Sequence, residues 1–240
     1  GHHPWVHHWV HNGFVNVVAA DGQREKMSKS LGNFLTIEDL LQRYPGETIR
    51  LFILNSHYRS PLDFSHALLT AAQAAMDRIY GALRAGIHLV GRDSGAECAV
   101  AFGREEGLSG QQGREVKRFF QAMDDDFNSS QALAVLFDLV RQLNHAIAQH
   151  DSDQTALLMS QIRRMGAVVG LAARDADDWF QRRPPQAAIE SIEIERLIQQ
   201  RNEARQQRRF ADADQIRQAL SDLGVVLQDS ASGTSWSWQR

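Results

Sequence analysis

The chain has 240 residues, of which 43% are hydrophobic and 23% are charged, and its formal net charge at pH 7 is −3. This composition is typical of a globular protein with room for more than one compact unit, and the charge alone does not indicate nucleic-acid binding. No apolar run approaches the roughly 20 residues of a membrane span, and these residues show no secretory signal pattern. The single cysteine, Cys98, excludes an intrachain disulfide and fits a reducing cytoplasm.

The N-terminal segment is predicted to contain a strand that leads into a lysine-bearing loop. Residues 14–18 predict the strand, and Asp21-Gly22 is a turn signal that could reverse the chain. The loop that follows is Lys26-Met27-Ser28-Lys29-Ser30, and Lys117 is the only other lysine of the chain. A compact ammonium on a flexible stem suits a point charge that follows a phosphate, whereas a guanidinium suits fixed bidentate pairing. The two retained lysines therefore indicate a phosphate-binding loop, although a solvated basic turn is the simpler alternative.

Helical patterns fill most of the remaining chain. Thr36 to Asp39 matches a capping box, which predicts a helix that stops at Pro45-Gly46. Pro61 and Asp63 are expected to interrupt the helical pattern before the helix predicted over 65–90. Residues 91–113 are predicted to be mostly loop and 174–188 a linker, and further helices are predicted over 47–55, 65–90, 115–122, 130–150, 153–171, 189–210 and 211–223. Two short strands, 225–228 and 234–238, follow with a turn between them.

Four sequence blocks together resemble one family. The lysine run resembles the KMSKS loop of class I aminoacyl-tRNA synthetases, which binds ATP. With residues 9–15, 56–65, 122–128 and parts of 194–236, it resembles cysteinyl-tRNA synthetases over nearly the whole chain. Two departures are local: the turn before Lys26 is longer than usual, and Phe210 stands where the family often has Trp.

The resemblance implies a mainly α chain in three parts. Residues 1–64 would be the end of a class I catalytic domain, with a strand, the KMSKS loop and the following helices. Residues 65–175 would form an antiparallel, DALR-like helical bundle that binds tRNA, and 188–240 a small α+β domain that recognises the anticodon. The family's HIGH motif and its Zn²⁺ ligands, two Cys, a His and a Glu, would precede residue 1. We therefore expect a C-terminal portion of a longer, monomeric and cytoplasmic protein, with no metal ligands of its own.

The implied function is that of a cysteine--tRNA ligase, which uses ATP with Mg²⁺ to activate L-cysteine and transfers it to tRNA(Cys). Negative charge accumulates on the phosphoryl oxygens and the leaving group during activation, and cations whose contacts strengthen at that stage lower the barrier. Lys26 and Lys29 are the predicted catalytic cations. Met27, Ser28 and Ser30 complete the predicted ATP-binding run, and Lys29 is the strongest single candidate.

The C-terminal domain carries the groups that RNA recognition needs. Aromatic and guanidinium planes stack on splayed bases, and carboxylates accept hydrogen bonds from base amino groups. The resemblance implies that four positions read the anticodon: Arg205, Phe210, Asp214 and Asp229. Two alternatives remain for individual residues. Phe210 could be a core side chain, and Asp214 could pair with a nearby arginine.

Two other clusters are not predicted to be functional sites. Histidines near the N-terminus could chelate a metal, but strand alternation would divide them between two faces; they are His2, His3, His7, His8 and His11. The acidic run Asp124 to Asp126 could bind magnesium, but a helix junction with amide-capping roles is the simpler interpretation.

Two rival functions remain open from sequence. A non-catalytic tRNA-binding module is one, although Lys26 and Lys29 argue against it, since a pure binder needs no ATP loop. The other is a related ligase that passes cysteine to an amino-sugar, which would have no use for the anticodon domain.

Overall fold

The computed structural model describes residues 5–18, 24–27, 36–91, 111–184, 187–230 and 233–239. The chain divides into two compact units, Gly1–Ala173 and Arg174–Arg240. The prediction of a mainly α chain with a small α+β C-terminal part is confirmed. No helix within the described ranges combines the length and apolarity needed to cross a membrane. The predicted domain boundaries at residues 64, 175 and 188 stay predictions.

A three-stranded sheet in the first unit positions the lysine segment, of which Lys26 and Met27 are described. Strand β1 (Val15–Val18) pairs antiparallel with β2 (Arg24–Lys26) and parallel with β3 (Leu62–Phe64). The predicted first strand and the chain reversal after it are confirmed, while Asp21-Gly22 lies outside the described residues. The expected interruption of the helical pattern at Pro61 and Asp63 is confirmed, and the interrupting segment contains β3, a strand that the sequence did not predict. Pro61 precedes the strand, where its missing N–H removes no ladder hydrogen bond.

Two short helices and one long helix follow the lysine segment, and their ends agree with the sequence signals. They are α1 (Ile37–Arg43), α2 (Gly46–Leu54) and α3 (His66–Val90). The capping box is confirmed: the Thr36 hydroxyl accepts from the Asp39 amide at 3.0 Å, and the Thr36 amide donates to Oδ2 of Asp39 at 3.1 Å. This reciprocal pairing satisfies amides that the first helical turn leaves without intrahelical partners.

The helical bundle of the first unit adds three helices to α3, and the predicted bundle is confirmed. They are α4 (Gln111–Asp124), α5 (Ser129–Ala148) and α6 (Ser152–Val169). Helix α4 begins within the predicted loop, so Gly113 is helical. The burial of Phe119 and Val116 against the bundle outweighs the roughly 1 kcal/mol that a helical glycine costs. Residues 92–110 of that predicted loop lie outside the described residues.

A buried polar network fastens α2 to the bundle. The Tyr80 hydroxyl donates to both carboxylate oxygens of Glu47, at 3.0 and 2.9 Å, and the Ala172 amide donates to Glu47 Oε2 at 2.8 Å. Arg163 donates to the Ala172 carbonyl at 2.5 Å. Buried polar groups are tolerated when they are hydrogen-bonded in this way. The network therefore fixes α2 to α3 and to the segment that follows α6.

The second unit packs three helices and a hairpin around a small core. Its elements are α7 (Ala176–Gln181), α8 (Ser191–Gln206), α9 (Phe210–Asp222), β4 (Val225–Ser230) and β5 (Gly233–Trp238). The two strands pair antiparallel, as predicted, with Leu227 opposite Trp236. The core residues share complete or nearly complete burial: Ile194, Ile198, Leu220, Val225, Trp236 and Trp238.

Two local predictions in this unit are wrong. The predicted linker contains α7, whose Trp179 is buried, and Trp238 Nε1 donates to the Gln181 carbonyl at 3.2 Å. Six residues are too few for a periodic pattern, and the available signal is the start of the helix, where Asp175 accepts from the amides of Asp177 and Asp178. The first of the paired helices ends at Gln206 rather than at Phe210, because Arg208 adopts a left-handed conformation with φ 59°.

Candidate nucleotide and RNA sites

Lys26 lies at the end of a strand rather than within a loop. It pairs with Asn16 of β1, and the Met27 amide donates to the Val15 carbonyl at 3.1 Å. Ser28, Lys29 and Ser30 lie outside the described residues. The lysine run therefore begins as an ordered strand end, which carries Lys26 on the sheet.

One face of this sheet carries four polar side chains, and Asp63 among them links the three strands. Directly paired residues and alternate residues of a strand share one face of a sheet. The side chains on this face therefore include those of Asn16, Arg24, Lys26 and Asp63. Asn16 Nδ2 donates to Asp63 Oδ1 at 3.1 Å, and Arg24 Nη2 lies 2.9 Å from Asp63 Oδ2. Asp63 on β3 therefore binds both other strands and helps to fix the register that places Lys26 at the end of β2.

The Lys26 ammonium contacts an aromatic ring on the same side of the sheet. Its Nζ lies 4.5 Å from the ring centroid of Phe14, and 67% of the Phe14 residue surface is exposed. An ammonium within about 6 Å of a ring centroid is attracted by the ring quadrupole. Neither Phe14 nor Asp63 is identified as a site residue from sequence.

Gly13 allows the chain before β1 to lie directly against the turn before β3. The Gly13 amide donates to the Tyr58 carbonyl at 2.7 Å, and a Cβ at this position would lie 2.2 Å from the Ser60 carbonyl oxygen. No side chain fits this space. Gly13, which belongs to the sequence block 9–15, thus has a packing role close to the lysine segment.

Asp126 connects this turn to the junction between α4 and α5. Arg59 donates from Nε to Oδ2 at 2.6 Å and from Nη2 to Oδ1 at 3.0 Å, and the Tyr58 hydroxyl donates to Oδ1 at 2.7 Å. These bonds, those of Arg59 first, lower the pKa of Asp126 to about 2, so its carboxylate stays ionised at neutral pH. The predicted amide-capping role is wrong for Asp126; Asn128 caps α5 by accepting from the Gln131 amide.

The described residues do not provide a metal site. Within the described ranges, no group of three or more His, Cys, Asp and Glu side chains could hold a metal ion. His7, His8 and His11 belong to those ranges, whereas His2, His3 and Cys98 lie outside them. A zinc site with two cysteine ligands does not fit a chain with one cysteine, so we derive no step through zinc.

In the second unit, Asp229 is the centre of a hydrogen-bond network on β4. Arg201 donates to Oδ1 at 2.9 Å and to Oδ2 at 2.6 Å, Thr234 donates to Oδ1 at 2.7 Å, and Arg205 donates to Oδ2 at 3.2 Å. These bonds, those of Arg201 first, hold the pKa of Asp229 well below its usual range. A carboxylate offers about four acceptor positions, so Asp229 already has a donor for each of them.

The four predicted anticodon residues occupy different environments. Arg205 and Asp229 are in direct contact, and the side chain of Arg205 is 49% exposed. Phe210 is 61% exposed as the first residue of α9, so it is not a core residue. Asp214 is exposed on α9 and contributes to a raised pKa of Arg201 as a minor, coulombic cause after Asp229.

Arg201 is the residue that the sequence analysis misses at this site. Its side chain is only 5% exposed, and it forms the two shorter arginine contacts to Asp229. The available signal is its spacing: Arg201 and Arg205 are four residues apart on α8, and residues with this spacing lie on one face of a helix. Arg201 thus orients Asp229 from inside the unit, and Arg205 contacts it from the solvent side.

An open groove lies beside this network. Its volume is about 1010 Å³, and its lining includes Asn202, Glu203, Gln206 and Thr234. Thr234 belongs to both the groove and the network, since it donates to Asp229 and lies 3.4 Å from Asn202 Oδ1. The groove therefore offers both hydrogen-bond donors and hydrogen-bond acceptors close to Arg205.

Comparisons with known proteins identify three matching family models in succession along the chain. Residues 1–74 match the class I (C) tRNA synthetase catalytic domain, 118–173 the DALR domain, and 191–236 the cysteinyl-tRNA ligase anticodon binding domain.

Curated relatives match nearly the whole chain. It is 47% identical over 238 residues to a protein named cysteine--tRNA ligase from Magnetococcus marinus. Proteins of the same name from Geobacter sulfurreducens and Acinetobacter baumannii are 45% identical over 240 residues and 41% identical over 234 residues. Each alignment covers 97% of this chain, but only 47%, 48% and 46% of the three relatives. The chain thus spans about half the length of the curated relatives it matches.

Proposed function

Because the chain belongs to the cysteinyl-tRNA synthetase family, we propose that it supplies the ATP loop and the tRNA-binding parts of a cysteine--tRNA ligase. The observation that carries this proposal is the succession of a catalytic-domain match, a DALR match and an anticodon-domain match in one chain. The substrates are ATP with Mg²⁺, L-cysteine and tRNA(Cys). The protein acts as a monomer in the cytoplasm.

The first reaction joins the cysteine carboxylate to the α-phosphorus of ATP. The bond from that phosphorus to the bridging oxygen breaks, and pyrophosphate leaves with the electron pair. Lys26 and Lys29 stabilise the negative charge that develops on the phosphoryl oxygens and on pyrophosphate. The position of Lys26 at an ordered strand end supports its share of this role, because a fixed cation loses little entropy on binding phosphate. Lys29 remains the strongest candidate on the family resemblance, and Met27, Ser28 and Ser30 complete the run.

In the second reaction the 3′ end of the tRNA takes the cysteinyl group and AMP leaves, while the C-terminal unit holds the anticodon. Phe210 stacks on a base, and Arg205 binds a base acceptor or a phosphate. Asp229 accepts from a base amino group only when one of its four donors moves away. Arg205 is the donor that moves, because its 3.2 Å contact is the longest of the four and its side chain is half exposed. Asp214, exposed on α9, is the second carboxylate acceptor.

Reversal of the Arg205 charge is expected to lower the affinity for tRNA(Cys) by about tenfold, the size of one lost base contact. Arg205→Glu removes a cation from the base and places a second carboxylate beside Asp229. The measurement is the Kd for tRNA(Cys) at fixed salt, since phosphate contacts depend strongly on ionic strength. The same measurement on a tRNA with an altered anticodon separates base recognition from backbone binding.

Arg217→Glu is the matched control for this experiment. Arg217 is exposed on α9, and its reversal changes the net charge of the unit by the same amount. We expect a small, anticodon-independent effect from it. Equal losses in both variants, or an unchanged Kd for Arg205→Glu, would contradict the role of Arg205 in anticodon recognition.

ATP–pyrophosphate exchange tests the proposed function as a whole. We expect no cysteine-dependent exchange with this chain alone, because the predicted HIGH motif and zinc ligands are not among its residues. Exchange is expected when the chain is joined to the catalytic half of one of its relatives. Exchange by the chain alone would overturn the proposed division of the active site, and absence of exchange from a folded, joined protein would overturn the proposed activity.

Neither rival function is favoured. The match of residues 1–74 to a catalytic domain argues against a pure tRNA-binding module. The match of residues 191–236 to an anticodon binding domain argues against an amino-sugar acceptor, which has no anticodon.

A further inference from the structure

We propose that Phe14 is a positioning residue for Lys26, and that its ring holds the Lys26 ammonium where it meets the triphosphate of ATP. This inference rests on the proposed function, in which Lys26 binds ATP. It assigns a specific task to an aromatic side chain that is two-thirds exposed and lies outside the KMSKS run.

The strand register brings the two side chains together. Lys26 stands opposite Asn16, and Phe14 precedes Asn16 by two residues, so Phe14 and Lys26 are diagonal neighbours on one face. Diagonal neighbours are within reach when one side chain is aromatic and the other is long. The observed distance of 4.5 Å from Nζ to the ring centroid agrees with this geometry. Asp63 helps to hold the same register through its bonds to Asn16 and Arg24.

An aromatic ring holds an ammonium without neutralising it. A carboxylate partner would cancel the charge that a phosphate requires, whereas a ring attracts the cation through its quadrupole and carries no net charge. An ammonium has three N–H donors, so contact with a ring does not by itself prevent an ammonium from donating to a phosphate oxygen. The contact also restricts the flexible lysine stem before the nucleotide arrives, which reduces the entropy lost on binding.

Lysine-selective NMR tests the contact in this chain. Because Lys26, Lys29 and Lys117 are the only lysines, ¹³C-labelled lysine gives three side-chain signals, and Lys26→Arg assigns one of them. Protons above the face of a ring are shielded, so the Lys26 ε-methylene signal is expected upfield of the other two. Phe14→Leu should abolish this shift, Phe14→Tyr should retain it, and the Lys117 signal should stay constant in both variants.

The effect of Phe14 on ATP binding is tested with the joined ligase, the protein in which this chain is joined to the catalytic half of one of its relatives. Phe14→Leu is expected to raise the KM for ATP by about two- to fivefold, the size of an exposed cation–π contact, whereas Phe14→Tyr should leave it near the wild-type value. In a Lys26→Met background, Phe14→Leu should have no further effect. A merely structural role of Phe14 would add the same loss in both backgrounds.

Each result decides the proposal. Absence of an upfield Lys26 signal, equal effects of Leu and Tyr at position 14, or additivity with Lys26→Met would overturn the positioning role. An upfield signal together with unchanged kcat and KM for ATP in Lys26→Met would overturn the ATP role of Lys26 instead, and with it the task assigned to Phe14. Unfolding temperatures of the Phe14 variants separate either outcome from a loss of fold.

Discussion

Replacement of Lys29 by alanine is expected to slow the formation of cysteinyl-adenylate by about 100-fold or more in the joined ligase. The ammonium of Lys29 is proposed to gain contacts as charge moves onto the phosphoryl oxygens and pyrophosphate. The loss of one such preorganised group typically reduces the rate by about 100- to 1,000-fold. Single-turnover activation, with ATP and cysteine in excess and no tRNA present, measures this step without interference from transfer or product release.

Lys117→Ala is the matched control, because Lys117 is the remaining lysine and is exposed on α4. We expect wild-type activation from it. Lys29→Arg keeps a positive charge but replaces the compact ammonium by a planar fork, so an intermediate rate is expected. If Lys29→Ala activates cysteine at the wild-type rate, the proposed role of the lysine run is wrong, whatever the C-terminal unit does with tRNA.

The elements that were predictable from sequence are those with signals of their own. The Thr36 capping box, the long apolar pattern of α3 and the residue patterns of β4 and β5 each specify local structure without help from distant residues. Strand β3 and helix α7 are different, since three and six residues are too few for a periodic pattern. Both depend on tertiary partners: β3 pairs with β1, and α7 packs Trp179 and Gln181 within the second unit.

The candidate sites show the same division. Residues such as Lys26 and Arg205 could be predicted because they lie in sequence blocks that resemble the family. The contacts of Arg201 and Asp63 could not be predicted, because each acts through a partner that is distant in sequence. Arg201 reaches Asp229 across 28 positions, and Asp63 reaches Asn16 across 47. Pairing over such separations becomes visible only when the strands and helices are placed.

The structure also supports the distinction between lysine and arginine drawn from the sequence. Arg59 and Arg201 each bind a carboxylate through two donors, at Asp126 and Asp229. In both cases the planar guanidinium fixes the orientation of its partner. Lys26 contacts a neutral ring, from which an ammonium can still reach a phosphate. Among the described residues, arginine therefore fixes the orientation of two carboxylates, and the role of Lys26 toward ATP stays a prediction.

Replacement of Glu47 by leucine is expected to lower the free energy of unfolding of the first unit by about 3 kcal/mol. The substitution removes the carboxylate that accepts from the Tyr80 hydroxyl and the Ala172 amide. Each buried donor that loses its acceptor costs about 1 to 3 kcal/mol, and the apolar leucine side chain offsets part of this loss. Glu47→Gln retains an acceptor oxygen and should lose about 1 kcal/mol, the net contribution of one hydrogen bond.

Urea unfolding measures this loss, and the chain contains its own reference. The buried tryptophans Trp179, Trp236 and Trp238 all belong to the second unit, so their fluorescence follows that unit, whereas far-UV circular dichroism follows both. Glu47→Leu should move the circular-dichroism transition to lower urea and leave the fluorescence transition unchanged. Glu38→Leu is the control, because Glu38 is an exposed first-turn glutamate on α1. A loss as large in Glu38→Leu as in Glu47→Leu would mean that the buried network does not fasten α2 to the bundle.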